Sequence, residues 1–515
     1  MSSTASPQPL SGMQLILGTL ALSLATFMNV LDTSIANVSL PAIAGNLGAS
    51  PNQGTWIITS FGVANAISVP LTGWLTQRVG AVRLFTWSVL LFVFTSWLCG
   101  FAPTLEALIF FRILQGLVAG PMIPLSQALL LSTYPPQRSS VALSMWSMTT
   151  LVAPVAGPLL GGWITDNVSW PWIFYINIPV GILAAAVTWG IYRHRETPTR
   201  KLPMDSVGLA LLVLWVGSLQ VLLDKGKELD WFHSGVIVAL AVVAVLGFIV
   251  FVVWELTEEH PIVDLRLFAR RNFAIGVTTL SLAWLVYFGN VVLLPLWLQQ
   301  YLGYTATAAG FALAPVGVLA VLLSPFIGRI LPRVDPRWIS TISFAIFVAV
   351  LLIRAEFTPQ IDQWTIMFPT FIQGAAVACL FTPLVAVIVS GLAPSKVPAA
   401  TGLSNFVRIT AGAFGTSITT TLWDNRATLH HAHLTEFFTN GNPDVAQGFA
   451  ALGTLGLDTQ QSAALLNRFI DQQAFTRAAD DIFLGSAVLF AALIAVVWLA
   501  RPGRMTEPVD AGGAH

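Results

Sequence analysis

Charge is scarce in this chain: Asp, Glu, Lys and Arg make up only 9% of its 515 residues, against roughly 25% in an ordinary soluble domain. A water-soluble fold is excluded by that shortage. Neither sign is in excess, since Lys+Arg 24 balances Asp+Glu 24, so the chain has no basic field of the kind that recruits nucleic acid. Cysteine is nearly absent. Cys99 and Cys379 both lie inside apolar runs, where a disulfide framework has no purpose. The sequence has no His-Glu-x-x-His pair, no Gly-rich phosphate loop ending in Gly-Lys-Ser/Thr and no Gly-x-Ser-x-Gly elbow. A membrane enzyme has no visible catalytic set and an ATP-driven pump no nucleotide site. No cofactor or metal is expected, and the energy source is expected to be an ion gradient.

What the chain has in abundance is apolar length, with 55% hydrophobic residues. A membrane helix needs about 20 mostly apolar residues to cross about 30 Å of hydrocarbon. Fourteen such spans are predicted, at 13–40, 54–76, 84–102, 105–131, 140–164, 171–192, 206–224, 234–255, 273–299, 306–329, 338–355, 364–391, 398–423 and 481–500. None contains histidine. The first is too long for a cleaved signal peptide. Most Lys and Arg, including Arg78, Arg83, Arg138, Arg193, Arg266, Arg329 and Lys396, fall on one side of this arrangement, which predicts cytoplasmic N- and C-termini. Lys225, Arg354 and the segment 424–480 then fall outside. The segment is expected to form short amphipathic helices that cap the transporter mouth or dock a partner. Its His430, His431 and His433 read as a solvated stretch in preference to a metal site.

The chain repeats itself. Gln115-Gly116, Pro136, Arg138 and Gly157 recur 258 residues later as Gln373-Gly374, Pro394, Lys396 and Gly415; Pro70, Gly73 and Arg78 recur 255 later as Pro325, Gly328 and Arg333. Parallel repeats of six spans are the architecture of the major facilitator superfamily, with binding at the midplane between the halves. The expected fold is therefore an all-α polytopic membrane protein: two six-helix bundles in parallel repeat plus two inserted helices, 14 transmembrane helices in all. Its parts are a cytoplasmic tail 1–12, an N-terminal bundle 13–192, a linker with two extra helices 193–272, a C-terminal bundle 273–500 that includes 424–480, and a tail 501–515.

A charge in hydrocarbon costs roughly 3 kcal/mol even on the lenient insertion scale, so intramembrane charges mark function by default. Asp32 is the one acidic residue deep in a predicted span. With Asn29, Thr33 and Asn37 it forms a polar stripe expected to face a wet cavity. Burial disfavours the charged form of a carboxylate, which makes Asp32 the candidate proton carrier. The alternative is that it only pins helices together. Arg112, near Gln115, and Arg408, near Asn405, are fixed cations expected to face the same interior. Asn290 and Gln373 are further candidates for the cavity lining. In the fifth span, Pro154, Gly157, Pro158, Gly161 and Gly162 predict a kinked helix in close contact with a neighbour.

These residues resemble those of the fourteen-span drug:proton antiporters of the major facilitator superfamily, and within it the EmrB-type multidrug exporters. The matching pieces are LSLATFMNVLDTSIANVSLP (22–41), GTWIITSFGVANAISVPLTGWL (54–75), RILQGLVAGPMIPLSQ (112–127), APVAGPLLGGWI (153–164), WIFYINIPVG (172–181), LDKGKELDWF (223–232) and SNFVRITAGAFGTSITTTLW (404–423). The resemblance implies that Asp32 and Arg112 couple protons and that Gly157-Pro158 centres the antiporter motif. It also implies a bacterial inner-membrane location and work with a periplasmic membrane-fusion adaptor (EmrA-like) and a TolC-type outer-membrane channel. In the loop motif, Gly73, Arg78, Gly80 and Arg83 fit the family pattern. Gln77 stands where Asp is usual and Ala81 where a basic residue is usual, and Thr370 stands at the repeat position of Arg112, which lodges proton coupling mainly in the first half. Cargo is expected to be hydrophobic, and the positive balance of the deep charges favours neutral or weakly acidic compounds over dications. A dedicated exporter of an endogenous metabolite, siderophore or peptide is the alternative on the same fold.

Overall fold

The computed structural model describes residues 10–49, 51–135, 138–200, 203, 205–226, 228–393, 396–436, 443–454 and 457–501; the side chains of Pro154 and Pro158 lie outside the described residues. Among the described residues every regular element is a helix, as it must be where the bilayer offers backbone groups no water to bond. The first half holds α1 (Gly12–Asn46), α2 (Pro51–Gly54), α3 (Trp56–Ser68), α4 (Thr72–Val79), α5 (Ala81–Gly100), α6 (Leu105–Ala119), α7 (Met122–Thr133), α8 (Ser139–Asn167), α9 (Trp172–Tyr175) and α10 (Asn177–Tyr192). The insert is α11 (Ser206–Lys225) and α12 (Gly235–Thr257). The second half holds α13 (Arg271–Gln300), α14 (Ala306–Leu313), α15 (Pro315–Ile330), α16 (Pro336–Arg354), α17 (Gln363–Ala378), α18 (Phe381–Val389), α19 (Val397–Thr435), α20 (Pro443–Thr454) and α21 (Thr459–Val497).

Several spans are broken helices. α3 and α4 meet at a 60° bend around Pro70, which has no N–H for the helical ladder. α6 gives way to α7 at Gly120-Pro121, and α14 to α15 at Ala314-Pro315. Among the described residues eleven helical stretches are long and apolar enough to cross a membrane, or twelve with the bent pair counted as one. With α8 and α19, which have 29 and 39 residues, the architecture is consistent with fourteen passes.

The repeat seen in sequence is a repeat of packing. α1 lies against α8 and α10, and α13 lies correspondingly against α19 and α21; α3 packs on α6 as α15 does on α17, and α5 on α10 as α16 on α21. The inserted pair packs on itself, and α11 leans on α3 and, more lightly, on α19. The two halves meet at α8–α15 and where α19 crosses α4 and α7. Named contacts across this seam are Gly73 against Ala399, Gln127 Oε1 accepting from Asn405 Nδ2 at 2.8 Å, and Trp146 near Phe381 with 5.4 Å between ring centroids. All lie toward the ends of the helices that carry the arginine-rich loops, so the halves are closed on that side.

The segment 424–480 holds one short helix, α20 (12 residues), of the kind expected, but the rest of its described residues belong mostly to two long helices. α19 and α21, 39 residues each, run on past their membrane portions as two long arms, because about 20 residues suffice to span the hydrocarbon. His430 Nε2 lies 2.9 Å from Asp481 and His431 Nδ1 2.8 Å from Asp471, cross-linking the arms.

Within α8 the small residues have distinct uses. A Cβ on Gly157 would collide with the side chain of Ser34 in α1, and one on Gly161 would press on Ile35, whereas one on Gly162 would meet nothing within 4 Å. Gly157→Ala is therefore expected to destabilise the purified protein in detergent by about 1–3 kcal/mol, the usual range for overpacking. Gly162→Ala should stay within about 0.5 kcal/mol of wild type. Thermal unfolding of the two variants side by side checks this.

Candidate functional site

Asp32 sits in α1 with its side chain fully buried, and so does Arg112 in α6. They form an ion pair of 2.6 Å between Arg112 Nη1 and Asp32 Oδ2. Three residues along α6, on the same face, Gln115 accepts from the same Nη1 at 2.7 Å through Oε1 and donates to Asp32 Oδ1 at 3.3 Å through Nε2. Asn177, the first residue of α10, donates to Asp32 Oδ1 at 2.8 Å. Ser96 Oγ of α5 accepts from both amides, at 2.8 Å from Gln115 and 3.3 Å from Asn177. Arg112 Nε donates to the Ile57 carbonyl of α3 at 3.1 Å, and its guanidinium lies 4.2 Å from the Phe61 ring centroid. Five helices of the first half thus converge on one carboxylate and one guanidinium.

Burying two charges is expensive, and only mutual attraction with well-placed hydrogen bonds repays it. Here the carboxylate is satisfied on both oxygens, while Arg112 Nη2 is buried without a partner. The polar stripe of α1 does not face a cavity as a unit. Asn29 Nδ2 donates to the Ala119 carbonyl at 3.2 Å, tying α1 to α6. Thr33 bonds back to its own helix and is half-buried, and Asn37 is exposed. The reason lies in helical geometry: five residues at 3.6 per turn carry Asn37 about 140° around α1 from Asp32.

Among the described residues Arg408 makes no contact with the Asp32 cluster. It lies at the seam, donating from Nε and Nη2 to Asn405 Oδ1 at 3.3 and 2.9 Å, with its guanidinium 4.3 Å from the Trp284 ring and 5.5 Å from Phe381. Asn405 itself bridges to Gln127 of the first half. Arg354, assigned by its position to the outer side, is instead only 2% exposed and reaches inward. Its Nη2 donates to Thr370 Oγ1 at 2.9 Å and to Gln373 Oε1 at 2.7 Å. Asn290 Nδ2 donates to Ser486 Oγ at 3.0 Å and to its own helix at Val286. The expected cavity residues therefore do not gather at one point: Gln115 joins the Asp32 cluster, Gln373 bonds Arg354, Asn290 bonds Ser486, and Asn405 and Arg408 lie at the seam.

In the loop motif, Gly80 has φ of +98° and opens the turn before α5. Glu196, from the loop after α10, caps the start of α5. Its carboxylate accepts from the backbone N–H groups of Val82 at 3.0 Å and Arg83 at 2.9 Å, and lies 3.9 Å from Arg83 Nε. Arg78 stacks on Trp74 at 5.2 Å. Sequence reasoning missed Glu196, Ser96, Asn177 and the inward reach of Arg354. The signal for Asn177 was present, since it is the one amide side chain in an apolar span, whereas Ser96 is one of several hydroxyl residues in its own.

A helical membrane protein with a repeated bundle, a seam between its halves and a fully buried ion pair in the first half has the architecture of a membrane transporter. The Major Facilitator Superfamily profile matches residues 22–416, and the chain belongs to that family. It is 53% identical over 507 residues to the multidrug export protein EmrB of Escherichia coli K12, covering 98% of each chain. It is 49% identical over 505 residues to the fatty acid resistance protein FarB of Neisseria gonorrhoeae, covering 98% of this chain and 99% of that one. Its fold matches the crystal structure of a bacterial homologue of the human lysosomal transporter Spinster with a TM-score of 0.54 at 15% identity, over 95% of this chain and 97% of that one.

Removing one member of a buried ion pair strands the other charge, at about 3–5 kcal/mol. Arg112→Gln is thus expected to unfold at lower temperature than the double variant Asp32→Asn/Arg112→Gln. A double-mutant cycle of thermal unfolding in detergent checks the coupling.

Proposed function

We propose that this chain is a proton-driven antiporter that exports hydrophobic toxic compounds by alternating access, with Asp32 as proton carrier and Arg112 as the charge that responds to it. The observation that carries the reading is the fully buried 2.6 Å pair between them, held by groups on five helices. Protonating Asp32 from the outer side frees the guanidinium and lets α1, α6 and α10 repack; losing the proton inward restores the pair. Each pH unit of gradient contributes about 1.4 kcal/mol to that cycle, and each 100 mV about 2.3 kcal/mol per charge moved. No cofactor enters it.

The electrostatics of the second half set the cargo. Arg354 and Arg408 are buried, and among the described residues neither is paired with an acidic group. Their field disfavours multiply charged cations and accepts neutral or weakly acidic lipophiles. Relatives named for multidrug export and fatty acid resistance support this reading over a dedicated exporter of an endogenous metabolite. The chain would reside in a bacterial inner membrane with both termini cytoplasmic, since the arginine-rich loops lie on the side of the termini. The extended arms of α19 and α21 are the surface proposed for a periplasmic membrane-fusion adaptor that leads to a TolC-type outer-membrane channel.

In liposomes, an imposed pH step should drive substrate uptake by the wild type, and Asp32→Asn should abolish uphill movement. Uphill transport retained by Asp32→Asn would overturn the assignment.

A further inference from the structure

The shift of 258 residues that matches Gln115 with Gln373 also carries Asp32 onto Asn290, Arg112 onto Thr370 and Ser96 onto Arg354. The structure supports that correspondence at the level of bonds. Gln373 Oε1 accepts from a guanidinium at 2.7 Å, as Gln115 Oε1 does at 2.7 Å. Asn290 Nδ2 donates to Ser486 Oγ of α21, the helix that packs in the second half as α10, the carrier of Asn177, does in the first. One set of polar positions has thus been written twice, with one difference in kind. The first copy contains both a carboxylate and a guanidinium; the second contains a guanidinium and, among the described residues, no carboxylate paired with it.

The second copy is left electrically incomplete. Arg354 is 2% exposed, yet its Nε is buried with no hydrogen-bond partner. A guanidinium has five N–H donors, and the two bonds found for this one go to neutral oxygens of Thr370 and Gln373. An uncompensated buried charge is among the most costly features a fold can carry. Its planar fork fits a carboxylate with two parallel hydrogen bonds.

We propose that the Arg354 cluster is a binding site for the anionic group of the cargo, a monoanion such as a carboxylate, which supplies the negative charge that Asp32 supplies in the first half. This rests on the reading of the chain as an exporter of lipophilic compounds and names the recognition element for their acidic members. A small inorganic monoanion such as chloride shares the chemistry, and the test separates the two.

The probes are sodium 1-naphthoate and its neutral counterpart 1-naphthalenemethanol, with sodium chloride and sodium sulfate at matched ionic strength. In detergent, without a gradient, 1-naphthoate should raise the unfolding temperature of the wild type in sulfate medium, and Arg354→Gln should remove the rise. Asn290→Asp, which places the missing carboxylate in the protein, should remove it as well. In liposomes the ratio of naphthoate to naphthalenemethanol transport should fall about tenfold or more in both variants, the loss expected for one charged hydrogen bond, and Arg354→Lys should recover part of it. An unchanged ratio in both variants overturns the proposal. So does stabilisation through Arg354 by chloride but not by naphthoate. Because binding is read without a gradient, failure here leaves the proton role of Asp32 standing, and failure of Asp32→Asn to stop uphill transport leaves the anion site standing.

Discussion

The structure depends on one buried ion pair. Asp32 and Arg112 lie wholly out of water, in a region where either charge alone would be strongly disfavoured. Each of the surrounding polar groups answers to that constraint. Gln115 spans the two charges, Asn177 and Ser96 close the ring around the carboxylate oxygens, and the Ile57 carbonyl and Phe61 ring hold the guanidinium from the other side. A pair so fully enclosed ties together the five helices that enclose it, so that a change in either charge bears on all of them at once.

The second half keeps the scaffold and changes the charges. It preserves the same helix pairings and the same glutamine–guanidinium bond, but the carboxylate gives way to Asn290 and the guanidinium moves to the end of α16. A buried ion pair in one half becomes a lone buried guanidinium in the other. The contrast between the halves follows from three substitutions at matched positions, with no change of fold.

Much of this was legible in the sequence, for identifiable reasons. Charges in oil are rare enough that Asp32, Arg112 and Arg408 stand out individually, and the six-span repeat follows from spacing. That Asp32 touches Arg112, while Arg408 goes to the seam, is a fact about which helices pack together, and no spacing along one helix encodes it. Arg354 is the last residue of its helix, where position alone points outward; the long side chain reaches back to Thr370 and Gln373, which only packing reveals. Asn37 shows the converse error, since a polar residue five positions on reads as a continuation of a stripe until its angle is counted. Glu196 escaped notice because loop motifs are read within the loop, and this capping carboxylate comes from a different one.

The inserted pair has a consequence for the surrounding lipid. α11 rests on α3 and α19, with Ser417 Oγ donating to the Leu223 carbonyl at 2.7 Å and Trp215 edge-on to Phe406. It therefore seals one of the two lateral joints between the halves against acyl chains, while the opposite joint, α8 against α15, keeps an apolar recess of about 450 Å³ bordered by Val152, Ala156, Gly317 and Val321. The fourteen-helix form is in this respect lopsided: a greasy molecule drifting within the bilayer meets a gasket on one flank and a notch on the other.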